Sequence, residues 1–154
     1  MGLNVGDTSG IRISPMQTED ILAARSLWET SEGVGLDDSD AEDRIAEYLA
    51  RNPGLCLVAR DENSPEPEHC VGAVLCGHDG RRGYLTHLAV RSTHRGRGIG
   101  RRLVEECLVR LRDQRITRCS IHAYVANEEG QEFWRRLGFA SRSNLTVMQR
   151  RLQD

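Results

Sequence analysis

The stretch STHRGRGIGRRLV, residues 92–104, decides how the rest of the chain is read. Glycines alternate at 96, 98 and 100, four arginines stand among and behind them, no acid intervenes, and an apolar run follows. Three readings compete: a cradle for phosphate, a basic nucleic-acid-binding tail, or an ordinary turn. Context separates them. YLTHLAV, residues 84–90, is an apolar strand directly before the loop. Directly after it, Ile99, Leu103, Val104, Cys107, Leu108 and Leu111 form one helical stripe, with charged residues on the other side. A glycine loop between a strand and a helix presents backbone N–H groups at the helix's positive end, and its glycines allow the positive-φ turns that curl such groups around an anion. Basic RNA-binding tails are repetitive and disordered, whereas this segment leads into a core helix. The spacing is G-x-G-x-G rather than G-x-G-x-x-G, with no acid placed to hold a ribose, which argues against a dinucleotide site.

Composition narrows the function classes. With 154 residues, 38% of them apolar types, the chain is long enough for one domain with a real core, assigned to residues 11–154 behind a flexible leader at 1–10. A net charge of −2 does not suggest general affinity for nucleic acid or anionic membrane. All 21 basic residues are arginine, so the phosphate-loop lysine of G-x-x-x-x-G-K-[ST] sites is excluded. Charge is uneven: Glu29 to Glu47 hold eight acids against Arg44 alone, and Arg91 to Arg102 hold five arginines and no acid. Solvated surface accounts for both runs as readily as function does. Five cysteines form no C-x-x-C pair and sit in apolar stretches, as buried free thiols of a reducing compartment would. No run is long enough to span a membrane, and the start MGLNVGDTSG lacks a secretory pattern, so a cytoplasmic protein is expected.

Periodicity then supplies the element order. IRIS (11–14) reads as a strand, Thr18 caps a helix to about Ser31, and Ser39 with Glu42 forms a capping box for a second helix to about Arg51. Leu55 to Asp61, HCVGAVLCG (69–77) and Tyr84 to Val90 read as an antiparallel meander, the last strand apolar enough to be buried on both faces. After the glycine-loop helix, Arg118 to Val125 alternates as a strand, with Ser120, His122 and Tyr124 on its polar face. NEEGQEFWRRLGF (127–139) is a helix stopped at Gly138, and NLTVMQRRL (144–152) a last strand.

RGRGIG also resembles the R-x-x-G-x-G signature of the GNAT N-acetyltransferase superfamily, with Arg95, Gly98 and Gly100 in its fixed positions. YLTHLAV resembles that family's central strand. YVANEEGQEFWRRLGF resembles its N-x-x-x-x-x-F-[YW]-x-x-x-G-F block, and GHDGRRGYL resembles a hairpin of small bacterial single-domain members. The resemblance implies an α/β (α+β) fold: a mixed, mostly antiparallel sheet of six or seven strands flanked by about four helices. It implies acetyl-CoA as co-substrate, with no metal, and an amine acceptor. The pyrophosphate would lie on the backbone N–H groups of Arg95, Gly96, Arg97, Gly98, Ile99, Gly100 and Arg101. Leu88, Ala89 and Val90 would pair with the pantetheine arm, and Asn127 would touch the cofactor or cap a helix.

For chemistry, the resemblance places a backbone N–H at Leu88 on the thioester oxygen. It places His122 where some relatives carry a glutamate base, with Tyr124 beside it as a candidate acid. His87 on the central strand is a second candidate base. Tyr84 occupies a place where other relatives carry glutamate, and Trp134 one where many carry an acidic tyrosine; an indole N–H cannot serve as that acid. The acids between the first two helices would favour a cationic amine. A coenzyme A binding module without turnover is the alternative, and a homodimer is left open.

Overall fold

The computed structural model describes residues 8, 10–65 and 69–152. Of the leader expected at 1–10, all but Thr8 and Gly10 lies outside the described residues. Five strands form one sheet in the order β1-β2-β3-β4-β5: Ile11–Pro15, Leu57–Asp61, Cys70–His78, Gly83–Val90 and Cys119–Ser120. The first four pair antiparallel and β5 runs parallel to β4. The helices are α1 (Ile21–Glu29), α2 (Glu42–Arg51), α3 (Ile99–Asp113) and α4 (Glu128–Arg136).

The sheet divides the core in two. β2 shows how: Leu57 and Ala59 join Leu103, Val104, Cys107 and Leu111 of α3, while Val58 joins Ile21, Ala24 and Trp28 of α1 and Ile45 of α2. Strand alternation therefore feeds both faces, and β2 and β3 are buried along nearly their whole lengths. β4 is not buried on both faces as its composition suggests. Tyr84 and Thr86 are exposed, and His87, Leu88 and Val90 are half-buried, because β4 borders the opening described below. Among the cysteines, 56, 70, 76 and 107 are buried and 119 is half-buried; burial pushes the Cys56 and Cys119 thiols up to about 12, so both stay protonated and inert near neutral pH. No described helix is long and apolar enough to cross a membrane.

Helix ends follow local chemistry, with two corrections. The turn before α1 is a 3₁₀ segment, Thr18–Asp20, capped by Gln17 and not Thr18, and α1 ends at Glu29 before Ser31. The Ser39–Glu42 box is replaced by one from Asp37 to Asp40, which closes a 3₁₀ turn before α2. Asp37, two residues earlier, can reach the Ser39 N–H at 2.8 Å. The stop at Gly138 is present: its φ is 92°, its N–H bonds Arg135 O and the Phe139 N–H bonds Trp134 O, a Schellman ending.

Among the described residues the sheet has five strands and not six or seven. Two expected strands account for this. Arg118 to Val125 pairs only at Gly83↔Cys119 and Tyr84↔Ser120, and residues 144–152 form no strand and are exposed throughout. Alternation makes a segment compatible with a sheet, but ladder bonds require a strand alongside in register; the first segment keeps that register for two pairs and the second has none.

One buried polar contact ties the sheet to the glycine loop. His94 Nε2 lies 2.7 Å from Asp61 Oδ2 at the end of β2, and Thr93 Oγ1 lies 2.8 Å from His94 Nδ1. Both His94 and Asp61 are buried. The His94 hydrogen bond, then the Asn63 N–H, hold the Asp61 carboxyl below its ordinary value of about 3.8.

Two outcomes test this packing. Leu103 is fully buried against Gly72 of β3, so Leu103→Ala is expected to cost about 3 kcal/mol in urea unfolding, in the middle of the usual range for such truncations. Because the folded pKa of Asp61 is depressed, its contribution is full above the unfolded value and is lost as pH falls through the folded one. Unfolding at a series of pH values should show Asp61→Asn less stable than wild type near neutrality, with the gap closing below about pH 4. A gap independent of pH would separate Asp61's charge from stability.

Candidate acyl-transfer site

β4 carries a bulge where the site begins. Ala73 pairs with Ala89 and Leu75 with Thr86, so His87 and Leu88 together oppose the single residue Val74. His87 takes the extra place with φ 56°, in the left-handed region. Beyond Tyr84 and Ser120 no ladder pairs join β4 to β5. Leu88, Ala89 and Val90 therefore have β3 on one side and no ladder partner on the other, leaving an edge able to receive an extended amide-bearing chain.

The loop after β4 makes the second part. A 3₁₀ turn, Ser92–His94, leads through extended Arg95 to Gly96 and Gly98, whose φ values are 76° and 82°. Gly98 is the N-cap of α3 and has no side chain to satisfy the first N–H groups of the helix. A Cβ on Gly96 would meet nothing within 4 Å, so the concavity is open. The positive-φ requirement falls on Gly96 and Gly98. Gly100 lies inside the first turn of α3, where an added Cβ would only reach ordinary contact with Phe133 and Val90. The N–H groups of Ile99, Gly100 and Arg101 are the helix-start donors that such a cradle offers. Of its arginines, Arg95 bonds Val90 O through Nε at 3.2 Å, and Arg101 pairs with Glu105 at 2.9 Å. Coenzyme A fits these residues: open glycine positions for phosphate at one end and an unpaired strand edge for its amide arm at the other.

The third part is a wall contributed by the loop between α1 and α2. A Cβ on Gly33 would lie 3.0 Å from Asn127 Nδ2, and one on Gly35 would lie 2.7 Å from the Tyr124 hydroxyl. Residues 124–127 thus sit against residues 33–35. Asn127 caps α4, its Oδ1 accepting the Gly130 N–H at 2.9 Å. Trp134 packs edge-on against Phe133 and Phe139 at ring separations of 5.1 and 5.2 Å, a packing role.

The candidate bases part company. The expected strand ends at Ser120, so His122 is not on the polar face of a ladder. It is exposed and has no hydrogen-bond partner among the described residues. Tyr124 is 61% exposed. His87 is held tightly instead: its Nε2 lies 2.7 Å from Asp40 Oδ1, and Trp28 meets the imidazole edge-on at 5.2 Å. Asp40 is 5% exposed, so it is not one of the solvated acids of its segment. Sequence reasoning missed Asp40, because only folding joins residues 47 positions apart. His94 and Asp61 were missed for the same reason. The remaining acids are partly engaged, Asp37 by Ser39, Asp38 by Arg151 and Glu29 by Arg25.

The chain is similar to several known proteins. N-alpha-acetyltransferase 30 of Saccharomyces cerevisiae is 30% identical over 97 residues, which are 60% of this chain and 55% of that protein. The chain thus spans about half the length of that relative. The crystal structure of Ard1 from Thermoplasma volcanium superposes with a TM-score of 0.72 at 19% identity, covering 85% of this chain and 83% of that one. A NatC complex bound to Gag peptide and CoA gives 0.72 at 24% identity, covering 84% of each chain. The model of the acetyltransferase (GNAT) family matches residues 21–139, so the bulged strand, the glycine cradle and the helices around them are those of a member of that family.

Proposed function

We propose that the protein is an acetyl-CoA-dependent N-acetyltransferase that moves an acetyl group to a primary amine by direct attack on the thioester. The observation carrying this reading is the unpaired edge of Leu88, Ala89 and Val90, with the glycine cradle at one end and a bulged, half-buried histidine at the other. Acetyl-CoA supplies an already activated acyl group, so the protein needs only to bind, orient and move protons. The backbone from Arg95 to Arg101 holds the pyrophosphate. The N–H of Leu88, next after the bulge, polarises the thioester carbonyl. Tyr124, against the α1–α2 loop, is the candidate donor to the leaving sulfur, and Asn127 borders the cofactor while capping α4.

The acceptor we favour is the α-amine of a peptide. Support comes from the relatives: one is named an N-alpha-acetyltransferase, and a structural neighbour was solved with a peptide and CoA. The residual acids on the α1–α2 segment fit a cationic chain near that amine. The test is thiol release from acetyl-CoA across peptides with free or blocked α-amines, a peptide with only a lysine amine, and a polyamine. Turnover confined to free α-amines is expected. Binding of coenzyme A without thiol release on any amine would leave a binding module instead.

The cradle is tested by Gly98→Val. A β-branched residue at φ 82° is strained, and its side chain fills the phosphate position. Calorimetry should show acetyl-CoA affinity reduced at least about tenfold, since one lost phosphate contact of about 1.5–3 kcal/mol suffices. Unchanged affinity in a folded variant would remove the cradle. Arg95→Ala assayed with coenzyme A and its dephospho form places that side chain. A loss only for coenzyme A puts it at the 3′-phosphate, and equal losses put it at the pyrophosphate.

A further inference from the structure

The geometry points to a His87–Asp40 dyad, assembled between the β4 bulge and the α1–α2 loop, as the proton acceptor for the amine, with His87 Nδ1 as the accepting atom and Asp40 as the positioning residue. This rests on the acetyltransferase reading above and deepens it.

Asp40 is built in on both oxygens. Its Oδ2 accepts the Asp37 backbone N–H at 2.9 Å, and its Oδ1 faces His87 Nε2 at 2.7 Å. A carboxylate can only accept, so the ring proton resides on Nε2 and the lone pair on Nδ1. Nδ1 has no hydrogen bond to any described residue. The side chain is 18% exposed, so solvent or a ligand reaches it only narrowly. Trp28 supplies the other wall, and its indole N–H is fully buried with no partner among the described residues. The indole fixes one side of the imidazole, and the Nδ1 lone pair is left for a ligand or water. The backbone agrees. His87 sits at φ 56°, a strained position for a residue with a side chain, and it directly precedes the edge at Leu88.

The step balances with these groups. The acceptor ammonium gives one proton to His87 Nδ1, leaving a free amine and an imidazolium stabilised by Asp40. The amine nitrogen bonds the acyl carbon, and the carbon–sulfur bond breaks with its pair on sulfur. The nitrogen's second proton ends on the thiolate, and His87 passes its proton to water. The charged groups facing the imidazole are Asp40 by contact and Asp37 at longer range from the loop. α1 presents Trp28, and on that face of the sheet β3 contributes the apolar Ala73 and Leu75.

Two variants separate catalysis from folding. His87→Gly suits the positive φ, so the bulge is retained while the base is removed. Asp40→Asn keeps the shape but changes the tautomer. The amide oxygen must still accept from Asp37 N–H, so the amide NH₂ turns to His87 Nε2 and drives the ring proton onto Nδ1. Expected are coenzyme A affinities near wild type for both, and turnover reduced on the order of 10²-fold or more. His87→Gly should also lose the acid limb of the kcat–pH profile and recover turnover with added imidazole. Nitrogen NMR should show Nε2–H in wild type and Nδ1–H in Asp40→Asn, a change that a purely structural aspartate would not produce. Wild-type turnover in either folded variant overturns the dyad and leaves the acetyltransferase reading intact. So does an acid limb that disappears in His122→Gln and survives in His87→Gly. A wild-type protein that turns over no amine overturns both.

Discussion

The parallel pairing of β4 with β5 lasts for two residue pairs, and the geometry of the site depends on its early end. Gly83 is where that pairing starts. A Cβ there would lie 2.7 and 3.1 Å from the two Leu111 methyls and 3.5 Å from Ile116, so any side chain would have to displace Leu111 where the last turn of α3 presses onto the junction. α3 is 15 residues, about 22 Å at its usual rise, and it therefore reaches from the glycine cradle at its N-terminus to the strand junction at its C-terminus. One helix thus carries the glycine turn at its start and packs at its end on the point from which β4 and β5 diverge. Past that point the bulge at His87 interrupts β4, and Leu88 to Val90 have no strand neighbour on the side away from β3, where Arg95 Nε meets Val90 O.

The meander and α3 are legible in the sequence because their signals are local. β2 to β4 are joined by short turns, and the α3 stripe keeps its period over more than three turns, so each element specifies its own partner. The C-terminal third is different. Cys119 to Val125 and Asn144 to Leu152 alternate as strands should, yet the first pairs for two residues and the second for none. Period two states which side chains would share a face. It does not say whether an edge is available, and that depends on how far β5 has separated from β4. The same limit applies to β4, whose apolar composition reads as double burial. Its outer half borders the opening, and the fully enclosed strand is β3.

At the site, the glycine turn before α3 was legible in the sequence, and the histidine–aspartate contacts were not. A glycine at φ 82° before a helix leaves a mark on sequence, since few other residues tolerate that position. A histidine's role depends on what orients it, and both orienting carboxylates come from distant segments. Asp40 belongs to a run of eight acids that charge counting assigns to solvent, yet it is buried while its neighbours remain outside. The Asp37–Asp40 box explains the exception. Closing the turn before α2 directs the Asp40 carboxylate inward, where His87 Nε2 meets it. His122 showed the reverse: its position relative to Asn127 was suggestive, but a histidine beyond the end of a ladder has nothing to fix its ring.

The two histidine–aspartate contacts, one buried and one part-buried, lie at the two ends of one continuous segment. His87 and His94 are seven residues apart, separated by the binding edge and the start of the loop. Three residues of extended strand, Leu88 to Val90, span about 10 Å. On the proposed function, the anion at the cradle and the carbonyl at Leu88 belong to one long ligand with hydrogen-bonding groups between its ends. Asp61 anchors the cradle end to β2 through His94, and Asp40 anchors the reacting end to the α1–α2 loop through His87. The distance between the ends is set by the backbone, and their orientation by two carboxylates on opposite faces of the sheet's edge. A compact anion would satisfy only the cradle. A neutral chain would satisfy only the edge. The pair of demands fits the long phosphorylated, amide-containing ligand that the proposed function assigns to this site.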